Sequence, residues 1–118
     1  MKKLLIVEDE ELLSQLYEDV LKKEYEVSLF HTGQQALVWL KTVKPDLAIL
    51  DVKLPDISGL KLIKEIKTKY PDVPVIMVTA YDASRTGHEN WLDKTLDYIV
   101  KPVVFEELKT KIKTVLDE

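Results

Sequence analysis

Residues 48–56, AILDVKLPD, place a carboxylate at the point where an apolar run ends. Leu47 to Leu50 are all apolar, Asp51 follows them directly, and a proline turn with a second acid, Asp56, comes next. A strand that is apolar without interruption is buried on both faces, as in a parallel sheet covered by helices. The stretch therefore predicts a parallel α/β fold with a charged group at the edge of its core.

Short apolar runs recur along the whole chain. Each run is too short for a helix, and most are rich in Val and Ile, which favours buried strands. Segments between the runs have helical periodicity, so strands and helices alternate. The predicted strands are LLIV (4–7), VSLF (27–30), LAIL (47–50), VIMV (75–78) and YIV (98–100).

Most segments that follow a strand carry an apolar stripe with helical spacing. The exception is residues 82–93, where apolar residues are few. Gly87 in its middle costs about 1 kcal/mol relative to Ala, so we expect only a short, marginal helix there. The clear stripes are Leu12, Leu13, Leu16, Tyr17, Val20 and Leu21; Ala36, Leu37, Leu40 and Val43; Leu60, Ile63, Ile66 and Tyr70; and Phe105, Leu108, Ile112, Val115 and Leu116.

The alternation of strands and helices indicates a doubly wound sheet. Five such units are too few for a closed barrel, which needs eight units and about 250 residues. With right-handed crossovers, the simplest α/β arrangement is a flavodoxin-like, five-stranded parallel sheet of order 2-1-3-4-5 with five helices. A chain of 118 residues is near the commonest domain size, so we expect residues 1–118 to form a single domain.

The composition argues against several classes of protein. A formal net charge of −4 does not suit direct contact with nucleic acid, and the absence of cysteine fits a cytoplasmic location. Acids follow the N-terminal lysines too soon for a signal peptide, and no segment approaches the roughly 20 apolar residues of a membrane span. We therefore expect a soluble, cytoplasmic protein without membrane contact.

Polar side chains stand at the ends of four of the predicted strands. Glu8 and Asp9 follow the first strand, Asp51 the third, Thr79 the fourth and Lys101 the fifth. In a doubly wound sheet the carboxyl ends of the strands share one edge, and ligands bind there beside the point where the strand order reverses. That point lies between strands one and three, so these residues are predicted to meet in one crevice.

The charges of this crevice favour a metal ion. Three carboxylates and one lysine leave a formal charge of −2, and like charges this close repel one another unless a cation is bound. Oxygen ligands favour a hard ion, Mg²⁺ or Mn²⁺, which shares its remaining positions with waters and phosphate oxygens. A metal, a lysine, a threonine hydroxyl and one central carboxylate are together equipped for phosphoryl transfer to that carboxylate.

The chain resembles the receiver domains of the bacterial two-component response regulators, including chemotaxis regulators, over essentially all of its length. Each motif alone is weak, but their order and spacing are specific, with 28 residues from Asp51 to Thr79 and 22 from Thr79 to Lys101. The motifs that carry the resemblance are IVEDEE (6–11), TGQQAL (32–37), ILDVKLPDISGL (49–60), VIMVTAY (75–81) and DYIVKP (97–102).

The resemblance implies a role for each residue of the crevice. Asp51 is the phosphoacceptor, which takes a phosphoryl group from the phosphohistidine of a protein or from a small donor. Glu8 and Asp9 hold Mg²⁺, directly or through water, together with Asp51 and the backbone carbonyl of Lys53. Lys101 pairs with a phosphoryl oxygen. The domain is then a signalling module and not an enzyme that acts on an external substrate.

The resemblance also implies a switch and its partners. Thr79 moves to hydrogen-bond the phosphoryl group, and Tyr98, at the position of the family's switch aromatic, turns inward with it. The Lys101–Pro102 bond corresponds to the family's cis peptide. The upstream partner is a sensor histidine kinase or a histidine phosphotransfer protein, and the downstream partner is a protein target or an output domain. The resemblance leaves room for a dimer that forms on phosphorylation.

Several positions depart from the family pattern or vary within it. Lys94–Thr95 stand where the family usually has Gly-Ala, so the end of the fourth helix is expected to be unusual. Lys53 and Tyr81 are bulky, and we take as a hypothesis that they restrict the attacking water and lengthen the life of the phosphoryl group. His31 is interpreted as a surface residue, and Asp56 as serving its own turn and helix three.

Three alternatives remain beside this interpretation. One is a receiver-like interaction domain that does not rely on phosphorylation, although Asp51, Thr79 and Lys101 are intact. A phosphatase with an aspartyl-phosphate intermediate generally needs a second Asp two residues after the nucleophile, where this chain has Lys53. A flavodoxin-like carrier of flavin or nucleotide uses a glycine-rich loop after the first strand, where this chain reads VEDEE.

Overall fold

A computed structural model describes residues 1–80 and 96–118 of the chain. Its five strands form one sheet in which every neighbouring pair is parallel, in the order β2-β1-β3-β4-β5. This is the predicted flavodoxin-like order, and each predicted strand is confirmed to within two residues. The strands are β1 (Lys3–Val7), β2 (Glu26–Phe30), β3 (Leu47–Asp51), β4 (Val75–Thr79) and β5 (Leu96–Val100).

Four of the five predicted helices lie in the described residues. Thr32 and Ser58 begin two of them by accepting hydrogen bonds from backbone amides three residues ahead, at 3.2 and 3.1 Å. The remaining predicted helix, the fourth in chain order at 82–93, lies outside the described residues, as do Tyr81 and Lys94–Thr95. The helices are α1 (Glu11–Leu21), α2 (Gly33–Leu40), α3 (Gly59–Lys69) and α4 (Phe105–Val115).

The sheet separates two apolar layers. All residues of β3 and β4 are buried, as their uninterrupted apolar sequences predict for central strands covered on both faces. Side chains alternate between the layers along each strand, so that Leu5 of β1 packs with α2 and α3 while Leu4 packs with α1 and α4. The polar carboxyl ends of the strands emerge between these layers at one edge.

The buried face of α1 differs from the stripe that the sequence indicates. Leu12 is 69% exposed and Leu16 is 42% exposed, although both belong to the predicted stripe. Ser14, Tyr17 and Leu21, spaced at three and four residues, are buried instead. The apolar residues of α1 spread over more than one face, and the neighbouring strands select the face that carries Ser14.

Candidate functional site

Three acidic side chains meet at the carboxyl ends of β1 and β3. Glu8 follows β1 and is buried, Asp51 ends β3 and is buried, and Asp9 is exposed at the rim. One carboxylate oxygen from each lies within 4.8 Å of the other two. The structure therefore brings together the three carboxylates that the sequence predicts at the point where the strand order reverses.

Lys101 supplies the positive charge of the site. Its ammonium donates a hydrogen bond of 2.9 Å to Oδ2 of Asp51 and lies 3.6 Å from Oε1 of Glu8. A backbone hydrogen bond holds its position, because its N–H donates to the carbonyl of Thr79 at 2.7 Å. The Lys101–Pro102 peptide is cis, as the resemblance implies. One cation thus serves two carboxylates that come from different strands.

The side chains line a small cavity of about 190 Å³. Thr79, at the end of β4, is buried beside it, and Lys53 follows Asp51 on its other side. The backbone N–H of Lys53 donates to Oδ1 of Asp51 at 3.0 Å, so both oxygens of this carboxylate accept a hydrogen bond. The lining residues are Asp9, Asp51, Val52, Lys53, Thr79, Ala80 and Lys101.

Burial and charge make Glu8 the most perturbed acid of the site. Burial, helped by the charge of Asp51, raises the pKa of Glu8 to about 7, against the lowering effect of a hydrogen bond from the N–H of Glu10. Partial burial lowers the pKa of Lys101, but its hydrogen bond to Asp51 and the charges of Glu8 and Asp51 outweigh that effect and raise it. The single positive charge of Lys101 therefore does not neutralise all the carboxylates of the pocket.

A divalent cation fits this set of donors. Oε1 of Glu8 is buried and, within the described residues, accepts no hydrogen bond. Buried polar atoms normally have a partner, and a carboxylate oxygen without one is an available ligand for a metal. Oxygen atoms from Glu8, Asp9 and Asp51 are the donors that Mg²⁺ prefers, and they match the three carboxylates of the sequence prediction.

The backbone of Glu8 is held by two side chains whose contribution the sequence did not indicate. The hydroxyl of buried Ser14 donates to the carbonyl of Glu8 at 2.9 Å, and Nδ1 of His31 lies 3.0 Å from the same oxygen. His31 is exposed, as predicted, but its ring also supports the site. The sequence feature that could have indicated this support is Ser14, a polar residue one helical turn before Tyr17 on a helix face that is expected to be apolar.

Thr79 and Tyr98 lie on the same face of the sheet. Thr79 pairs with Val100 across the parallel β4–β5 ladder, and Met77 pairs with Tyr98 two residues earlier. Because side chains two apart point to the same face of a strand, Thr79 and Tyr98 are diagonal neighbours. Tyr98 is half-buried and packs against the layer beneath α2 and α3.

Asp56 binds a different helix from the predicted one. Its carboxylate accepts hydrogen bonds from the N–H groups of Gly33 at 2.9 Å and Gln34 at 2.8 Å, at the start of α2 and not of helix three. Among the described residues, the acidic cluster consists of Glu8, Asp9 and Asp51 and does not include Asp56. Asp56 therefore connects the loop after the candidate phosphoacceptor to α2.

Comparison with known proteins assigns the family. The family model of the response regulator receiver domain matches residues 4–113. The heme response regulator HssR of Staphylococcus saprophyticus is 34% identical over 113 residues, which cover 96% of this chain and 50% of HssR. The transcriptional regulatory protein BaeR of Escherichia coli is 40% identical over 118 residues, covering 97% of this chain and 48% of BaeR.

A solved structure agrees with this assignment. The response regulator TrrA of Thermotoga maritima, in complex with Mg²⁺-BeF, is 36% identical and superposes with a TM-score of 0.84, covering 98% of this chain and 99% of TrrA. The chain spans about half the length of the curated relatives that it matches. Among the described residues no helix has the length and apolar character to cross a membrane. Since the family model and these relatives match nearly the whole chain, the protein belongs to the receiver domains of the response regulators.

Proposed function

We propose that Asp51 accepts a phosphoryl group and that this modification switches the domain. The observation that carries the proposal is the cluster of four residues formed by Asp51, Glu8, Asp9 and Lys101, in which the Lys101 ammonium lies 2.9 Å from Asp51. An oxygen of Asp51 forms a bond to phosphorus while the bond between phosphorus and the imidazole nitrogen of a phosphohistidine breaks. The electron pair of the broken bond stays on that nitrogen, and the product is an acyl phosphate.

The other residues of the pocket handle charge and position. Hydrogen bonds from Lys53 N–H and Lys101 orient the carboxylate of Asp51 before transfer. Glu8, Asp9, Asp51 and the backbone carbonyl of Lys53 hold the metal, for which we propose Mg²⁺, with Mn²⁺ as a substitute. When bound at these residues, the ion would supply positive charge against the phosphoryl oxygens. Lys101 exchanges its carboxylate partner for a phosphoryl oxygen.

Thr79 and Tyr98 are the proposed switch. A phosphoryl group on Asp51 draws the Thr79 hydroxyl towards it, and Tyr98, its diagonal neighbour on the same face, turns into the space that is vacated. Phosphorylation in this scheme shifts an equilibrium between two existing conformations and creates no new shape. The support is their shared face and the half-buried position of Tyr98.

The proposed partners follow from the phosphoryl chemistry. A sensor histidine kinase or a histidine phosphotransfer protein supplies the phosphoryl group to this cytoplasmic domain, residues 1–118. The exposed Leu12 and Leu16 on α1 line an apolar groove of about 430 Å³ that reaches Lys101, and we place the donor protein there. The switched face then acts on a protein target or an output domain, or pairs with a second copy.

Acetyl phosphate and Mg²⁺ test the central step. The purified chain and its Asp51→Asn variant are incubated with both reagents, and intact mass is recorded with and without EDTA. We expect the wild type to gain one phosphoryl group only when Mg²⁺ is present, and the variant to gain none. Equal phosphorylation of the variant would contradict the assignment of Asp51. No phosphorylation with any donor would favour a receiver-like interaction domain that does not rely on it.

A further inference from the structure

Tyr17 carries a buried hydroxyl that has no role in the proposed phosphoryl transfer. The side chain is 1% exposed, and its ring packs edge-on against Phe105, with the centroids 5.6 Å apart. In the part of the chain that the structure describes, two buried side-chain atoms have no hydrogen-bond partner, the Tyr17 hydroxyl and Oε1 of Glu8. One is a donor and the other is an acceptor, so each supplies what the other lacks.

The geometry of α1 directs the Tyr17 hydroxyl towards the site. Long helical side chains lean back towards the N-terminus of their helix, and α1 begins at Glu11, directly after the acidic pocket. Ser14, one turn earlier on the same face, already contacts the backbone of Glu8. Burial raises the pKa of the Tyr17 phenol, and the charges of Glu8 and then Asp51 raise it further, because the hydroxyl lies in their field.

One carboxylate oxygen of Glu8 lacks a hydrogen-bond donor. Its Oε2 accepts from the N–H of Glu10 at 3.0 Å, whereas Oε1 accepts no hydrogen bond within the described residues and lies 3.6 Å from the Lys101 ammonium. When Lys101 turns to a phosphoryl oxygen, as the proposed function requires, Oε1 loses that charge. A buried carboxylate oxygen is costly to leave without a donor. Of the two buried hydroxyls on the adjacent face of α1, Ser14 already donates to the Glu8 carbonyl, whereas Tyr17 has no partner among the described residues.

We propose that Tyr17 is a positioning residue of the metal site. With the ion bound, its hydroxyl would donate a hydrogen bond to Oε1 of Glu8, a bond that is not formed in this structure, and would hold this carboxylate in the orientation that faces the ion. The inference rests on the proposed function, since it assigns Glu8 to the metal. A leucine at this place in α1 would fill the same apolar layer but could not donate, so the hydroxyl is the feature that packing alone does not explain.

The test compares two variants that each remove one phenolic hydroxyl. Tyr17→Phe keeps the ring that packs on Phe105, and Tyr25→Phe is the matched control, because the Tyr25 hydroxyl donates to Glu118 at 2.9 Å, away from the acidic cluster. The affinity for Mg²⁺ alone is measured by calorimetry, and thermal unfolding in EDTA checks each fold. Loss of a hydrogen bond to a metal ligand weakens binding roughly 10-fold, so we expect that loss for Tyr17→Phe and none for Tyr25→Phe.

The outcomes separate this inference from the proposed function. A Tyr17→Phe variant with wild-type Mg²⁺ affinity overturns the inference, even where Asp51 is phosphorylated. Weaker Mg²⁺ binding by the variant supports it even where Asp51 stays unmodified, which would count against the proposed function alone. If Tyr17→Phe does not fold, tyrosine-labelled wild type decides by NMR: with Mg²⁺ bound, the Tyr17 hydroxyl proton should exchange slowly with water, and exchange as fast as in an exposed tyrosine overturns the inference.

Discussion

At the scale of single residues, Lys101 determines how much of the negative charge of the pocket is neutralised. Its ammonium is shared between Asp51 at 2.9 Å and Glu8 at 3.6 Å, so it occupies part of the space and charge that a metal would use. A cation that neutralises these carboxylates competes with a metal ion for them, yet the same cation stabilises the charge of a phosphoryl group in transfer. Lys101 therefore opposes metal binding but favours phosphoryl transfer, and the two effects can be measured separately.

Replacement of Lys101 by methionine should therefore strengthen Mg²⁺ binding and slow phosphorylation. Removal of the ammonium leaves the carboxylates more negative, which favours the ion, whereas loss of one charged donor to the phosphoryl group slows transfer by on the order of 100-fold. Calorimetry gives the affinity, and intact mass against time gives the rate with acetyl phosphate. Lys44→Met, which removes an exposed lysine paired with Asp72, is the control and should change neither. Slower phosphorylation with weaker Mg²⁺ binding would contradict the competition.

At the scale of helices and loops, backbone contacts between its two ends hold the loop after β3 in place. A Cβ at Gly59 would collide with the backbone carbonyl of Asp51, and the Gly59 N–H donates to the carbonyl of Val52 at 2.8 Å. The Asp56 carboxylate then ties this loop to the first amides of α2. The start of α2 thus depends on a residue five positions after the candidate phosphoacceptor.

The contact of Asp56 with α2 predicts how stability changes in acid. Desolvation of its carboxyl raises its pKa, but hydrogen bonds from backbone N–H groups, those of Gln34 and Gly33 first, together outweigh desolvation and lower the pKa in the folded chain. A lowered folded pKa stabilises the fold above the unfolded pKa, and this contribution is lost as the pH falls through the folded value. In urea titrations across the acid range, Asp56→Asn should lose less stability on acidification than the wild type.

A matched control for this prediction is Asp72→Asn. Asp72 is exposed like Asp56, and its pKa is also lowered, first by the hydrogen bond that it accepts from Lys44. Within the described residues its side chain pairs with this lysine and not with the start of a helix. At neutral pH we expect Asp56→Asn to destabilise the chain more than Asp72→Asn, because a charge at a helix N-terminus is lost as well. Parallel acid curves for wild type and Asp56→Asn would refute the contribution of Asp56.

The helices also indicate where sequence periodicity is sufficient and where it is not. The spacing of leucines in α1 predicts a helix, and the helix is present, but the spacing does not identify the buried face. Ser14 is buried because the Glu8 carbonyl accepts a hydrogen bond from its hydroxyl. This partner lies six residues away in the sequence, and an apolar pattern does not indicate it. Leu12 and Leu16 remain exposed because the neighbouring elements cover another face.

The exposed leucines lead to a prediction for the donor protein. Leu16→Lys should leave the free energy of unfolding within about 0.5 kcal/mol of the wild type, because the side chain is 42% exposed. Phosphorylation by acetyl phosphate should not change, since Leu16 is outside the pocket lining. Transfer from any histidine phosphotransfer protein that phosphorylates the wild type should slow. An equal slowing with both donors would place the defect in the pocket and not in docking.

At the scale of the whole molecule, the predictable part of the site is the part that topology determines. Alternating strands and helices give the order 2-1-3-4-5, and that order brings Glu8, Asp51 and Lys101 together from distant positions in the sequence. Contacts between side chains of different elements are not determined in this way. The burial of Tyr17 on α1 and the contact of Asp56 with α2 depend on rotamers and helix rotation, which only the folded chain specifies.

The same topology predicts that metal binding stabilises the entire fold. The ligands come from different strands and meet only in the folded chain, so Mg²⁺ binds the native state and not the unfolded one. At ten times its dissociation constant a ligand of this kind adds about 1.4 kcal/mol, and for a domain near 100 residues each kcal/mol raises the unfolding temperature by roughly 4–8 °C. Thermal unfolding with increasing MgCl₂ measures the shift, and NaCl at matched ionic strength corrects for screening. Asp51→Asn should shift much less, because a carboxylate ligand is lost. An equal shift for the variant would mean that the ion stabilises the chain somewhere other than at the ends of β1 and β3.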